Sequence, residues 1–349
     1  PIGSPNPRDL WKWMQNYEDE TGGDVLAIPH NGNLSNGMMF ALRDDFANGV
    51  ELDRQYAAQR QKWERLYEAT QMKGDGETHP LLSPEDEFAD FETWDMGNLD
   101  LSEGKRHDML PGEYLRSGLQ RGLQLESKLG VNPFKFGLVG ASDNHIGLTT
   151  HTNDNFFGKF KQYEPSPHRA NHLSKENKQT NSRLYSWQYI TAGLTAVWAR
   201  ENSRAAIFDA MERRETYATT GPRIRVRLFG GFDFSESDAL RRDLALVGYS
   251  KGVPMGSDLS TAPDGRAPSF LVYALRDAMG ANLDRVQIIK GWVDDAGSAF
   301  ERVYDVAVSD GRTIGTDGRC KTPVGDTVNL SIPSWTNTIG DPELGAVWT

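Results

Sequence analysis

The sequence predicts an α/β fold that is followed by a β-rich carboxy-terminal region. Two apolar runs, Val25–Ile28 and Gly137–Gly140, lead directly into polar residues, which is typical of buried strands that end in functional loops. A third extended run begins at Leu66. After residue 228, short β-branched and aromatic segments alternate with Gly, Asp and Pro turns, as in a β-sandwich. We therefore expect one domain at 1–228 and another at 229–349.

Helix signals precede or separate these strands. Asn6 and Pro7 form a helix start, and Gly22 follows the last apolar position of that helix. Polar sequence over roughly 44–65 predicts a second helix, and residues from about 112 to 129 predict a third. A fourth is expected to begin after Asn202 or Ser203. Arg223 to Phe229 alternates like an edge strand, and the expected strands in the carboxy-terminal region lie near 268–276, 284–291, 301–308 and 324–332.

Asp143 and His145 lie at the end of the strand that is predicted to begin at Gly137. Two residues apart on an extended chain, these side chains point the same way, and they could bind one divalent cation or two adjacent ones. A surface loop that happens to contain an acid and a histidine is the alternative.

The strand at Val25 ends in the same manner. Pro29 has no amide hydrogen, so it should end ladder pairing and leave His30 at the carboxyl end of the strand. A small polar loop with Asn33 follows. A structural histidine is the alternative for His30.

The run at Leu66 carries a carboxylate inside an apolar setting. Glu68 is costly there unless it is paired or bound to a metal. The loop beyond it holds Lys73, Asp75, Glu77 and His79, and the last two repeat the two-residue spacing. For Lys73 and Asp75, a solvated turn is an equal alternative.

Imidazole and carboxylate together suit Zn, Mn or Fe. The chain has one cysteine, Cys320, which excludes an internal disulfide and a Cys-x-x-Cys zinc site. The net charge of −11 argues against nucleic acid as the main partner. No run of 18 apolar residues is present, so no membrane span is expected.

Several long segments resemble a large bacterial family of unknown function that is related to the PHP (polymerase and histidinol phosphatase) phosphoesterases. They are IPHNGNLSNGMMF, QMKGDGETHP, GASDNHIGLTTH, GLTAVWARENSRAAIFDAMERRETYATTGPRIRV and ANLDRVQIIKGWVD. The resemblance implies a distorted (β/α)7 barrel with two or three metal ions, and a periplasmic or secreted location. In that family's pattern His30 matches a mid-chain ligand, Asp143 and His145 match the closing Asp-x-His motif, and Glu68 matches a strand carboxylate.

The same resemblance implies that the barrel is incomplete. PHP barrels open with a His-x-His strand, and no histidine precedes His30. The missing amino-terminal segment would be supplied by further residues or by a separate chain. An open barrel also leaves unpaired strand edges, which favour association, so a homo-oligomer is a possible state.

Two further segments are candidates for binding substrate. The polar stretch 151–188 has little periodicity and follows the Asp143 motif, so we expect a lid or an oligomer contact, with a plain surface loop as the alternative. His151 within it is close enough in sequence to touch substrate. Arg200 is a candidate phosphate clamp, and a salt bridge with Glu201 is its equal alternative.

The sequence therefore predicts a metal-dependent hydrolase, with phosphate esters as the first choice of a small-molecule substrate. The expected metal ligands are His30, Glu68, Asp143 and His145. Expected catalytic groups are Glu77, His79 and Arg200, and expected substrate contacts are Asn33, Lys73 and His151. Hydrolysis of sulfate esters, carboxylic esters or lactones is an alternative. A non-catalytic ligand-binding or assembly protein is another.

Overall fold

The computed structural model describes residues 3–148, 155–189 and 193–349. The chain forms two compact units, one of residues 1–221 with 291–300 and the other of residues 222–290 with 301–349. In the described residues the α-helices are α1 (Pro7–Thr21), α2 (Arg54–Trp63), α3 (Leu115–Leu129), α4 (Arg204–Glu212) and α5 (Leu244–Lys251). The strands are β1 (Arg43–Asp44), β2 (Val50–Glu51), β3 (Leu66–Gln71), β4 (Gly74–Asp75), β5 (Gly137–Gly140), β6 (Leu173–Asn177), β7 (Ser182–Tyr185), β8 (Leu194–Val197), β9 (Thr216–Thr219), β10 (Arg225–Gly231), β11 (Gly252–Pro254), β12 (Ser269–Leu275), β13 (Arg285–Val293), β14 (Ala299–Val308) and β15 (Glu343–Trp348).

Three of the predicted helices are confirmed, and their ends follow the expected chemistry. The Asn6 side chain accepts from the amide of Arg8, and Gly22 closes α1 in the left-handed region at φ 67°. α3 matches the third predicted helix, and Ser203 caps α4. Side-chain capping and glycine stops therefore identify these ends from sequence.

The second predicted helix is wrong over its first half. Helix α2 begins only after Asp53, whose side chain accepts from the amide of Tyr56. Residues 43–51 form a small antiparallel hairpin, β1–β2, instead. Asn48 and Gly49 both adopt positive φ at its turn, and this pair is a common hairpin signal that helical spacing obscures.

Strand β3 is the centre of the amino-terminal unit. It pairs parallel with β5 and antiparallel with β4. The predicted strand Val25–Ile28 is wrong, because this segment makes isolated backbone bonds rather than a ladder. Ala27 donates to the carbonyl of Trp63, and the amide of Glu68 donates to the carbonyl of Pro29.

The expected (β/α)7 barrel is wrong. A barrel needs successive parallel strands that each pair on both sides until the sheet closes. Here the described strands lie in six small sheets of two, three or four strands, and no closed barrel is present in the described ranges. Beside the parallel β3–β5 pair, the other described strand pairs are antiparallel. The protein is a mixed α/β structure.

The carboxy-terminal region keeps the predicted strands near 268–276, 284–291 and 301–308, and the strand predicted over Arg223–Phe229 is present as β10, which begins at Arg225. The expected strand at 324–332 is wrong, because this stretch contains turns, and β15 near the chain end was not predicted. Strands β11, β10, β12 and β15 form one antiparallel sheet, and β13 and β14 form a hairpin. The expected sandwich is thus replaced by a sheet and a separate ribbon.

Aromatic side chains fix β3 in the core of the amino-terminal unit. Trp11, Phe40, Tyr67 and Phe134 are all fully or almost fully buried there. Within residues 3–148, 155–189 and 193–349, no helix combines the length and the apolar character that crossing a membrane requires. Burial of β3 by rings on both sides makes its carboxyl end a rigid support for the site described next.

Candidate functional site

Two side chains meet at the carboxyl ends of β3 and β5. These strands are parallel, with Leu66 opposite Gly137, so both chains leave the sheet at the same edge. Lys73 follows β3 and forms an ion pair with Asp143, which follows β5. Asp143 adopts a left-handed conformation at φ 50°, which turns the chain sharply after the strand. Parallel pairing therefore explains why residues 70 positions apart are in contact.

Close backbone packing fixes this edge. A Cβ atom on Gly140 would lie 2.8 Å from the carbonyl oxygen of Leu194, and one on Gly193 would lie 2.6 Å from that of Thr70. The hydroxyl of Thr195 donates to the carbonyl of Gly140 at 2.6 Å. A side chain larger than hydrogen at Gly140 would separate β5 from its neighbour and displace Asp143.

A second lysine reaches Asp143 from the segment after residue 151. Lys159 forms an ion pair with the Asp143 carboxylate, and its Nζ lies 3.1 Å from Nε2 of His145. The same Nε2 lies 3.1 Å from Oδ1 of Asp143. The Lys159 side chain is 3% exposed and that of Lys73 is 10% exposed, whereas that of His145 is 57% exposed. Two nearly buried ammonium groups thus share one carboxylate beside an accessible imidazole.

Burial shifts the pKa values of the basic side chains around Asp143. It lowers the pKa of Lys73 to about 7, with the neighbouring Lys159 ammonium as a further cause, and it lowers the pKa of Lys159 to about 8. It also lowers the pKa of His145, and both lysines act in the same direction. At neutral pH the imidazole is therefore an unprotonated base, while the lysines remain within reach of protonation.

Two more predicted ligands lie near these lysines. Burial raises the pKa of Glu68 to about 7, although Lys73 and Lys159 favour its ionised form. Burial lowers the pKa of His30, and the same two lysines lower it further. His30 and Glu68 therefore share an electrostatic environment with Asp143. We call the group Glu68, Lys73, Asp143, His145 and Lys159 the lysine cluster.

The fit of this cluster to a divalent metal is incomplete. Its imidazole and carboxylate donors are of the right chemistry, and the buried Oε1 of Glu68 has no hydrogen-bond partner in the structure. However, no three His, Cys, Asp or Glu side chains of the described residues lie close enough to hold one ion. The two ammonium groups also lie directly on Asp143. This arrangement does not fit a metal, and we derive no chemical step through one.

A cavity of about 350 Å³ opens beside the cluster. Lys73, His145 and Lys159 contribute to one part of its wall. The rest is mainly apolar and comes from Leu34 and from residues 94–101 and 160–189, with Asn98, Ser174 and Lys175 as its polar members. This volume lies at the lower end of the range of about 300–1,000 Å³ that is usual for small-molecule sites.

Glu77 and His79 belong to another polar group. Arg116 donates twice to Oε1 of Glu77, at 2.8 and 2.6 Å, and once to Oδ2 of Asp86, at 2.6 Å. Nε2 of His79 lies 3.0 Å from Oδ2 of Asp95. Asp75 accepts from the amides of residues 77 and 78. We call Asp75, Glu77, Asp86 and Arg116 the arginine cluster, in which Arg116 makes ion pairs with Glu77 and Asp86.

The remaining predicted site residues have different surroundings. Asn33 is buried, and its amide donates to the carbonyl of Lys73 at 3.0 Å, so it supports the Lys73 loop. Arg200 is exposed in the turn before α4 and does not line the cavity. His151 lies outside the described residues.

Sequence reasoning missed Lys159 and the aromatic wall. The amide of His145 donates to the carbonyl of Lys159 at 2.8 Å, which brings the chain back to the cluster. Lys159 occurs in a locally basic stretch, KFKQ, and nothing in its spacing indicates burial against Asp143. Trp94, Phe160 and Tyr189 lie in segments without periodicity, so their convergence had no sequence signal.

The fold and the site define a mixed α/β protein with a buried lysine–carboxylate–histidine cluster at the edge of a short parallel sheet. The chain belongs to the family described as protein of unknown function (DUF3604), which matches residues 1–349. No curated protein and no solved structure matches it.

Proposed function

We propose that this protein hydrolyses phosphate esters and that the lysine cluster is its active site. The observation that carries the proposal is the pair of nearly buried ammonium groups, Lys73 and Lys159, converging beside the accessible imidazole of His145. Buried lysine ammonium groups are expensive unless they meet negative charge. Asp143 compensates them in part, and a phosphoryl group entering the cavity would complete the compensation.

The cluster also supplies the groups that hydrolysis needs. A hydrogen on Nε2 of His145 would be held by Asp143 and leave Nδ1 free to take a proton from water. The water oxygen then bonds to phosphorus and the ester P–O bond breaks. An ammonium group of the lysine pair protonates the departing oxygen. The products are an alcohol and inorganic phosphate, and the proton on His145 returns to the lysine.

A dependence on Zn, Mn or Fe, as the sequence predicts, stays a prediction. Such an ion would act as a Lewis acid and lower the pKa of bound water. The unpartnered Oε1 of Glu68 favours this alternative, and the ammonium groups on Asp143 oppose it. A relationship to the PHP phosphoesterases, which the sequence resemblance implies, would favour the metal-dependent form of this phosphate ester chemistry.

The test is a hydrolysis panel with the intact chain, run after chelation and again with added Mn or Zn. The panel contains phosphate monoesters and diesters, a sulfate ester, a carboxylic ester and a lactone. We expect phosphate esters to be cleaved, with loss of that activity in Lys73→Met. Cleavage of none of them under any metal condition would overturn the proposal. Cleavage of only sulfate or carboxylic esters would also overturn it.

A further inference from the structure

The cavity beside the lysine cluster has a wall of aromatic rings that the proposed chemistry does not use. The ring centroids of Trp94 and Tyr189 are 5.4 Å apart, and those of Tyr189 and Phe160 are 6.0 Å apart. Phe160 in turn lies edge-on to the imidazole of His145 at 5.4 Å. The rings therefore form a continuous row that ends at the cluster.

The lysines and this row face the same space. The ammonium group of Lys159 lies 5.5 Å from the ring centroid of Phe160, and both residues line the cavity. Leu34, Leu101 and Leu184 complete much of the remaining wall. A ligand in the cavity thus meets Lys73 and Lys159 together with a mainly apolar wall of three aromatic rings and four leucines, which also carries Asn98, Ser174 and Lys175.

We propose, on the basis of the hydrolase function above, that the substrates are aryl esters of phosphate. The anionic phosphoryl group would contact Lys73 and Lys159, and an aromatic ring bonded through oxygen would pack on Phe160 and Tyr189. Aromatic pairs add to the free energy of simple area burial, whereas a polyol in this position would lose hydrogen bonds to water. The cavity volume of about 350 Å³ suits one or two rings rather than a large ligand.

The same aromatic row favours an aryl leaving group chemically. When the ester bond between phosphorus and oxygen breaks, the electron pair stays on the aryl oxygen. The negative charge on that oxygen is delocalised into the ring. The departing aryl oxide therefore needs less protonation in the transition state than an alkoxide does. The ammonium group of either lysine can then protonate the departing oxygen, and the released product is a phenol.

Binding of two phosphonates to the chelator-treated chain tests the proposal independently of turnover. Phenylphosphonate and methylphosphonate carry the same anionic group and cannot be hydrolysed at the carbon–phosphorus bond. We expect calorimetry to give phenylphosphonate an affinity at least about tenfold higher, which corresponds to about 1.4 kcal/mol. Phe160→Ala should reduce this ratio to near one. Phe160→Leu, which keeps most of the packing, should reduce it in part.

The matched control is Phe91→Ala, since Phe91 is exposed and does not line the cavity. It should keep the wild-type ratio. Equal affinities for the two phosphonates in the wild-type chain would overturn the aryl preference. So would a ratio that Phe160→Ala leaves unchanged while circular dichroism shows a folded variant. If phenylphosphonate binds more tightly and no phosphate ester is cleaved, the aryl site stands and the hydrolase proposal fails.

Discussion

The lysine cluster and the arginine cluster both combine basic side chains with carboxylates, but they differ in how these charges are paired. Arg116 makes directional bonds to two carboxylates, and the side chain of its partner Asp86 is 1% exposed. Lys73 and Lys159 share the single carboxylate of Asp143, and burial lowers the pKa of both. The first arrangement is complete within the protein. The second places two ammonium groups, near the carboxylates of Asp143 and Glu68, at the wall of a cavity, where both lysines can also contact an anion.

Removal of the arginine should have the largest effect on stability. Arg116→Met leaves Asp86, whose side chain is 1% exposed, without its guanidinium partner, and an uncompensated buried charge costs about 3–5 kcal/mol. Urea unfolding should show this decrease in the free energy of unfolding. Lys159→Met, by contrast, should leave the stability unchanged or raise it, because it removes a buried cation that is incompletely paired. An equal decrease in the free energy of unfolding for Arg116→Met and Lys159→Met would contradict the proposed difference between the two clusters.

Loss of a lysine should have the largest effect on activity. Lys73→Met removes one of the two ammonium groups that we expect to contact the phosphoryl oxygens. Removal of one such preorganised group costs about 10²–10³-fold in rate. The measurement is kcat/KM for phenyl phosphate at pH 7, with thermal unfolding as the check on folding. Full activity in a folded Lys73→Met variant would contradict the proposed site.

The same substitution, Asp→Asn, is made once in each cluster, so that the two clusters are compared without a difference in the chemistry of the change. Asp143→Asn weakens the support of both lysines and of His145, so kcat/KM should fall about 10²-fold, as expected when general-base catalysis is lost. Asp75→Asn, in the arginine cluster, should leave kcat/KM unchanged. If the protein binds Mn or Zn, elemental analysis should likewise show less metal in Asp143→Asn than in Asp75→Asn. Equal behaviour of the two variants would contradict the assignment.

The pH dependence gives the smallest and most specific effect. The pKa values of Lys73 and Lys159 are lowered to about 7 and about 8, so both ammonium groups are present below pH 7 and both are lost as the pH rises above 8. Binding of phenylphosphonate should therefore weaken by about tenfold between pH 7 and pH 8 and continue to weaken above pH 8. Calorimetry at several pH values measures this decline. An affinity that increases with pH over this range would refute the role of the lysines.

The sequence predicted correctly those elements that are determined by a short local segment, such as a helix cap. The cap at Asn6, the stop at Gly22 and the cap at Ser203 identify α1 and α4 from sequence. The position of Asp143 after β5 also follows from the apolar run before it. These features depend on hydrogen bonds between residues that are close in the chain.

The features that sequence missed depend on contacts between distant residues. The barrel expectation failed because strand pairing is set by the whole sheet, and β3 has β4 and β5 as its neighbours. Glu77 pairs with Arg116, which is 39 residues away, and no local pattern indicated this partner. A hydrogen bond from the amide of His145 to the carbonyl of Lys159 holds Lys159 at the site, and no local sequence pattern indicates this bond. Residue type therefore indicated polar chemistry correctly, while the partners could be read only from the fold.

The central claim is that Lys73 and Lys159 together bind the phosphoryl group, and a crystal structure of the chelator-treated chain with phenylphosphonate tests it most directly. The account predicts phosphonate oxygens within hydrogen-bond distance of both Nζ atoms and the phenyl ring against Phe160. A phosphonate bound elsewhere, or held in the cavity without contact to either lysine, would contradict it.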